Sequence, residues 1–119
     1  MLYKSTRGQI EKVSFQEVLF SGLAPDGGLY IPEYLPGPET FNVNSFRSKE
    51  YDEIAQIVLK PFIGNFFDDD QLCEITNKAY SKFKSKNRCE LVELSNYHMM
   101  LELFHGPPYA IKDFAMQMI

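Results

Sequence analysis

The stretch HGPPYAIKDFAMQMI, residues 105–119, decides how this chain is read. It sets Lys112 between a glycine-proline loop and the first turn of a helix. Gly106-Pro107-Pro108 forms turns because glycine tolerates unusual backbone angles and proline fixes its own. Phe114, Ala115, Met118 and Ile119 then fall on one helical side, with no C-terminal stop signal after them. A lysine at a helix start is ordinarily a solvated side chain, so the weight falls on its surroundings.

Just upstream, ELVEL (90–94) and YHMMLELF (97–104) read as two strands joined by a tight turn at Ser95-Asn96. The second is apolar on both faces, which suits a strand entering the interior of a larger sheet. Before residue 89 the pattern is mostly helical. Tyr51, Ile54, Ala55, Val58 and Leu59 make a helical stripe that Pro61 is expected to end or kink. A further helix opens at Asp68-Asp69-Asp70 and buries Leu72, Ile75, Ala79 and Phe83, with acids at its start and lysines toward its end matching the helix dipole. The basic run SKFKSKNR (81–88) reads as that helix's solvated end.

At the front, LYKST (2–6) is a short strand and Ser14-Phe15-Gln16-Glu17 matches a capping box, giving a helix over 14–21 that stops at Gly22. PDGG (25–28) is a turn, followed by a short strand at 29–31 and a proline-rich loop. The chain thus divides into a small module, 1–88, and the opening of a second domain, 89–119.

Composition limits the function. At 119 residues, 45% of them hydrophobic, the chain can build a core. A net charge of -4 argues against a nucleic-acid binder. No stretch approaches the ~18 apolar residues of a membrane span, and the N-terminus lacks a signal-peptide core, which points to the cytoplasm. Cys73 and Cys89 have no metal-ligand spacing and read as buried free thiols; the three adjacent aspartates lack the spaced ligands of a calcium loop, so no metal site is expected.

LELFHGPPYAIKDFAMQ (101–117) resembles the pyridoxal-phosphate lysine motif of the threonine synthase family, FHGPT followed by a short apolar link and FKDFA. YKSTRG (3–8), SFQEVLFSGLAPDGGLYIPEYLP (14–36) and EIAQIVLKPFIG (53–64) are similar to the N-terminal domain of that family's long-chain form. The resemblance runs in order along essentially the whole chain. It implies an α/β enzyme of fold type II, the tryptophan synthase β-like architecture. Only the small α+β N-terminal domain and the first strands and helix of the catalytic domain would be represented here. The implied reaction is the pyridoxal 5'-phosphate-dependent conversion of O-phospho-L-homoserine and water to L-threonine and phosphate.

By this resemblance Lys112 aligns with the lysine that binds the cofactor as a Schiff base. A helix start and partial desolvation would favour the unprotonated, nucleophilic amine. The freed amine would then move protons while the cofactor ring acts as electron sink. Arg7, in STRG, is a candidate for substrate phosphate, although an arginine tying the first strand to a neighbouring acid has the same sequence signature. His105 reads either as a ligand contact or as a loop residue bonding backbone. Asp113 and Asp26 are read as structural.

Two positions depart from the family motif: Pro108 stands where threonine is usual, and Ile111 replaces an aromatic residue. These departures fit a threonine synthase-like phospholyase with another phosphorylated amino acid as substrate. Family members are far longer, with the phosphate-cradling glycine-rich loop and most of the catalytic sheet beyond residue 119. The chain therefore reads as an enzyme's N-terminal fragment, inactive alone, whose uncovered C-terminal helix favours self-association. The alternative from another class is a short, non-enzymatic relative acting as an interaction module.

Overall fold

The computed structural model describes all residues from Met1 to Ile119, and they form two compact units. The first unit comprises residues 1–47 and 57–68; the second comprises 48–56 and 69–119. The helix α2, Tyr51–Ile63, contributes to both. No helix is long and apolar enough to cross a membrane.

In the first unit, β1 (Leu2–Ser5) is the centre of a three-stranded antiparallel sheet, between β2 (Val13–Ser14) and β3 (Tyr30–Pro32). Tyr3 pairs with Val13 on one side and Pro32 on the other. Alternation along β1 sends Tyr3 and Ser5 inward and leaves Leu2 and Lys4 out. Pro32, expected to lie just past the strand, is its last residue. Because β3 is an edge strand, its missing N–H costs no ladder bond.

The Tyr3 ring packs on Phe15, which in turn meets Phe66 edge-on at 5.6 Å. Its hydroxyl donates to the Phe62 carbonyl at 2.9 Å, and burial pushes the phenol's pKa up. Helix α1, Phe15–Ser21, begins at the expected capping box: Ser14 Oγ accepts from the Glu17 amide, and Glu17 accepts from the Ser14 amide. It ends at Gly22, whose positive φ of 70° only glycine adopts without strain. Two short 3-10 turns, Pro38–Thr40 and Val43–Ser48, lie between β3 and α2.

Pro61 does not end α2. The helix runs on to Ile63 and stops at Gly64, whose N–H bonds the Lys60 carbonyl at 2.9 Å. A proline removes one helical hydrogen bond, and the turns on either side retain theirs. In the second unit, α3 spans Asp69–Tyr80, and Ala79, Tyr80 and Phe83 form the core, with Tyr51, Ala55, Phe114 and Met118 packed against it. Tyr51 meets Tyr80 edge-on at 5.0 Å, and Phe114 lies 5.0 Å from Phe83. Aromatic pairs in such geometry add about 0.5–1.5 kcal/mol each beyond area burial. The Tyr80 hydroxyl donates to the Phe114 carbonyl at 3.0 Å, and burial raises its pKa strongly.

Thr76, fully buried in α3, accepts from Gln56 Nε2 at 2.9 Å and reaches the Leu72 carbonyl at 3.0 Å, so its hydroxyl is satisfied. The basic run after α3 is not simply a solvated helix end. Arg88 forms two hydrogen bonds to Asp52, at 3.0 and 2.8 Å, and both side chains are mostly buried. The two cysteines are free, as expected, but only half-buried.

The predicted strands are present as β4 (Glu90–Ser95) and β5 (His98–Glu102), paired only with each other. The interior position expected for the second strand is not observed: Met99, Met100 and Leu101 are 61%, 49% and 54% exposed. A two-stranded hairpin has no third layer to cover either face. The last helix, α4, is also shorter than its apolar spacing suggested, spanning only Asp113–Met116. Short helices hold through packing, and only Phe114 and Met118 of this segment reach the aromatic core.

Candidate functional site

Lys112 is the last residue of a loop tied down at three points. At its entry, the His105 carbonyl accepts from the Lys84 amide at 2.9 Å. In its middle, Tyr109 closes a turn by donating its amide to the Gly106 carbonyl at 3.0 Å, spanning Pro107 and Pro108. Tyr109 takes a left-handed φ of 56°, uncommon for a residue with a side chain. Lys84 holds it there, with Nζ 2.6 Å from the phenol oxygen and 4.6 Å from the ring centroid.

At its exit, Asp113 is fully buried. Its amide donates to the Ala110 carbonyl at 3.0 Å, and its Oδ2 faces the Ala110 amide at 3.4 Å. Its other oxygen, Oδ1, is buried with no hydrogen-bond partner. Gly106 lies directly against this side chain: a Cβ at position 106 would stand 2.4 Å from Asp113 Cβ. Glycine is required there by close approach and not by its backbone angle.

The Lys112 side chain is exposed, and its carbonyl accepts from the Met116 amide at 2.8 Å to begin α4. The desolvation expected around this amine is therefore not supplied by residues 1–119. His105 is half-buried, with Nε2 2.9 Å from Glu102 Oε2 and its ring stacked on Phe104. Hydrogen bonds from Ser85 and Asn87 chiefly hold the Glu90 carboxyl below the usual range, with a smaller contribution from the nearby His105. The second unit thus brings His105 and Lys112 to the two ends of one loop.

Arg7 belongs to the first unit. Here YKSTRG and PDGG, distant in sequence, form one loop structure. Ser5, buried, donates its hydroxyl to Asp26 Oδ1 at 2.7 Å and accepts from the Arg7 amide at 3.1 Å. Asp26 also accepts from the amides of Gly28 and Gln9. The Ser5 bond is the main reason its carboxyl is held below the usual range, and the nearby Arg7 charge adds to it. The Arg7 guanidinium is exposed and passes over Gly27.

The sequence reads Asp113 as a structural acid at a helix start, and the structure adds that it is fully buried. An acid three residues after Ala110, reaching back to that residue's amide, was the available signal, since it copies half of a capping box. The tie between Lys84 and Tyr109 carried no local signal.

A family model described as "Threonine synthase N terminus" matches residues 2–80. Over its full 119 residues the chain is 40% identical to a threonine synthase of Pseudomonas aeruginosa, covering 25% of that protein. Over 117 residues, 98% of the chain, it is 38% identical to a mouse protein named threonine synthase-like 2, covering 24% of it. Among solved structures, a PLP-bound threonine synthase from Brucella melitensis superposes with a TM-score of 0.94 at 40% identity, over 99% of this chain and 25% of that one. The chain spans about a quarter of the length of the curated relatives it matches. With its motifs in register from Leu2 onward and the family model matched over residues 2–80, the chain belongs to the threonine synthase family.

Proposed function

We propose that these residues are the N-terminal part of a pyridoxal 5'-phosphate-dependent lyase of fold type II that converts O-phospho-L-homoserine and water to L-threonine and phosphate. The observation that carries this reading is the loop closed by Gly106 and Asp113, which ends on an accessible primary amine, Lys112. The residues present fit the cofactor: an aldehyde needs an unhindered amine. The loop provides one beside a buried carboxylate oxygen that has no partner.

Lys112 Nζ would hold the cofactor and, when released, carry a proton to and from the substrate carbon. Pyridoxal phosphate, when bound, supplies an electron sink for carbanion chemistry. Arg7 is proposed as a contact for the substrate phosphate, a role its exposed guanidinium can serve while Ser5 and Asp26 hold its backbone. His105 is proposed as a contact near the loop entrance. We place the start of the catalytic domain at residue 89, with 1–88 as the N-terminal domain, and expect residues 1–119 alone to be inactive.

A second reading is favoured by one observation. The chain is nearly as similar to threonine synthase-like 2 as to a threonine synthase, at 38% against 40% identity. With Pro108 and Ile111 departing from the family motif, a phospholyase acting on another phosphorylated amino acid shares the same site.

The test begins with the mass of the native protein carrying this N-terminus. A chain about four times longer, reduced with borohydride to give a pyridoxyl adduct on Lys112 and releasing phosphate and threonine from phosphohomoserine, is the expected result. Phosphate release from a different phosphorylated amino acid would select the second reading. A native mass near 13.8 kDa without an adduct would leave a non-enzymatic interaction module.

A further inference from the structure

We propose that Asp113 is a positioning residue for Lys112, acting through the loop that its carboxylate and Gly106 close together; this rests on Lys112 being the cofactor lysine. Asp113 is fully buried, and within residues 1–119 its Oδ1 has no hydrogen-bond partner. A desolvated acceptor costs free energy, so its place is set by the packing around it.

The contact with Gly106 shows how tightly this one is held. A single methyl group at position 106 would overlap both Asp113 Cβ and Oδ2, each at 2.4 Å. Asp113 Oδ2 faces the Ala110 amide, and the Asp113 amide returns to the Ala110 carbonyl. The backbone between Gly106 and Asp113 is therefore clamped at both ends, with Tyr109 held in its left-handed conformation by Lys84. Lys112 immediately precedes the clamp. Any shift of Asp113 moves the origin of the Lys112 side chain, and reaction rates are steep in such displacements.

The two carboxylate oxygens stand in different surroundings. Oδ2 closes the loop. Oδ1 remains an acceptor facing away from that bond, so aspartate does more here than an apolar residue of its size. Asparagine cannot replace it: one amide orientation sets N–H against the Ala110 N–H, and the other leaves a buried donor unpaired.

The test uses the full-length protein that carries this N-terminus, with pyridoxal 5'-phosphate as probe, borohydride reduction and peptide mass spectrometry. Reductive capture requires only an accessible, well-presented amine, not turnover. Lys86, whose side chain is 86% exposed, is the internal control. The wild-type chain is expected to capture the probe at Lys112 about tenfold more than at Lys86, and Asp113→Asn to bring that ratio toward unity. Gly106→Ala, which displaces the clamp from its other side, should do the same, with faster amide exchange over residues 109–113. Near-ultraviolet circular dichroism of the Tyr51–Tyr80 cluster checks folding; if Asp113→Asn does not fold, Gly106→Ala decides. No preference for Lys112 in the wild type would remove the lysine reading and this proposal with it. A preference that survives intact in the folded variants would overturn the positioning role alone.

Discussion

Arg88 and Asp52, 36 residues apart in the chain, meet through two parallel hydrogen bonds of 3.0 and 2.8 Å. The guanidinium fork matches the carboxylate, and the pair joins the start of α2 to the segment leading into β4 within the second unit. Arg88 also sits at a φ of 65°, so the ion pair holds a backbone conformation that the residue does not favour alone. Arg88→Lys, which keeps the charge but not the fork, is expected to destabilise the unit by about 1 kcal/mol, and Arg88→Ala by about 2 kcal/mol. Urea unfolding followed through the aromatic signal checks this; identical midpoints for all three proteins would mean the pair contributes nothing.

The first unit should lose stability in acid through Asp26. Its carboxyl is held low mainly by the Ser5 hydroxyl, then by the Gly28 and Gln9 amides. A carboxylate whose pKa is lower folded than unfolded stabilises the fold above its unfolded value, and that contribution disappears as pH falls through the folded value. Asp26→Asn should therefore be less stable than wild type at neutral pH, with the gap closing below about pH 4. Glu17 and Glu33 shift in the same direction and remain in both proteins, so the comparison isolates Asp26. A gap that stays constant through a pH series of thermal unfolding curves would contradict the assignment.

Phe114 ties the lysine loop to the core through contacts with Tyr51, Tyr80 and Phe83. It is half-buried, so Phe114→Ala is expected to cost about 2 kcal/mol, less than a fully buried phenylalanine. Amide exchange should quicken first over residues 113–118. Equal protection there in both proteins would show that α4 is held by something other than this ring.

Lys112 makes the opposite prediction. Its side chain is exposed, so Lys112→Ala should change thermal stability by less than about 0.5 kcal/mol. Under the proposed function, in the full-length protein it should abolish the borohydride-stable pyridoxyl adduct and turnover together. Turnover retained at the wild-type rate would remove this residue from the chemistry.

Much of the secondary structure was legible because its causes are local. The capping box at Ser14 and Glu17, the glycine stop at 22 and the stripe of α2 each depend on residues within one or two turns, and each is observed where expected. The errors came where local patterns compete with context. Pro61, expected to end or kink α2, does not end it, because the helix can lose one hydrogen bond and continue to Ile63. The apolar strand β5 looked like interior sheet but has a single partner. The apolar spacing after Lys112 suggested a longer helix than Phe114 and Met118 can anchor.

From the residues alone come the boundaries of most elements, the family resemblance and the choice of Lys112, because capping, periodicity and motif order are properties of neighbouring residues. The fold alone assigned partners: Ser5 to Asp26, Arg88 to Asp52, Lys84 to Tyr109, and Gly106 to the buried carboxylate of Asp113. The reason is physical. A hydrogen bond or a steric contact depends on distances of a few ångströms, and when the partners lie 7 to 36 residues apart those distances are set by the path of the whole chain.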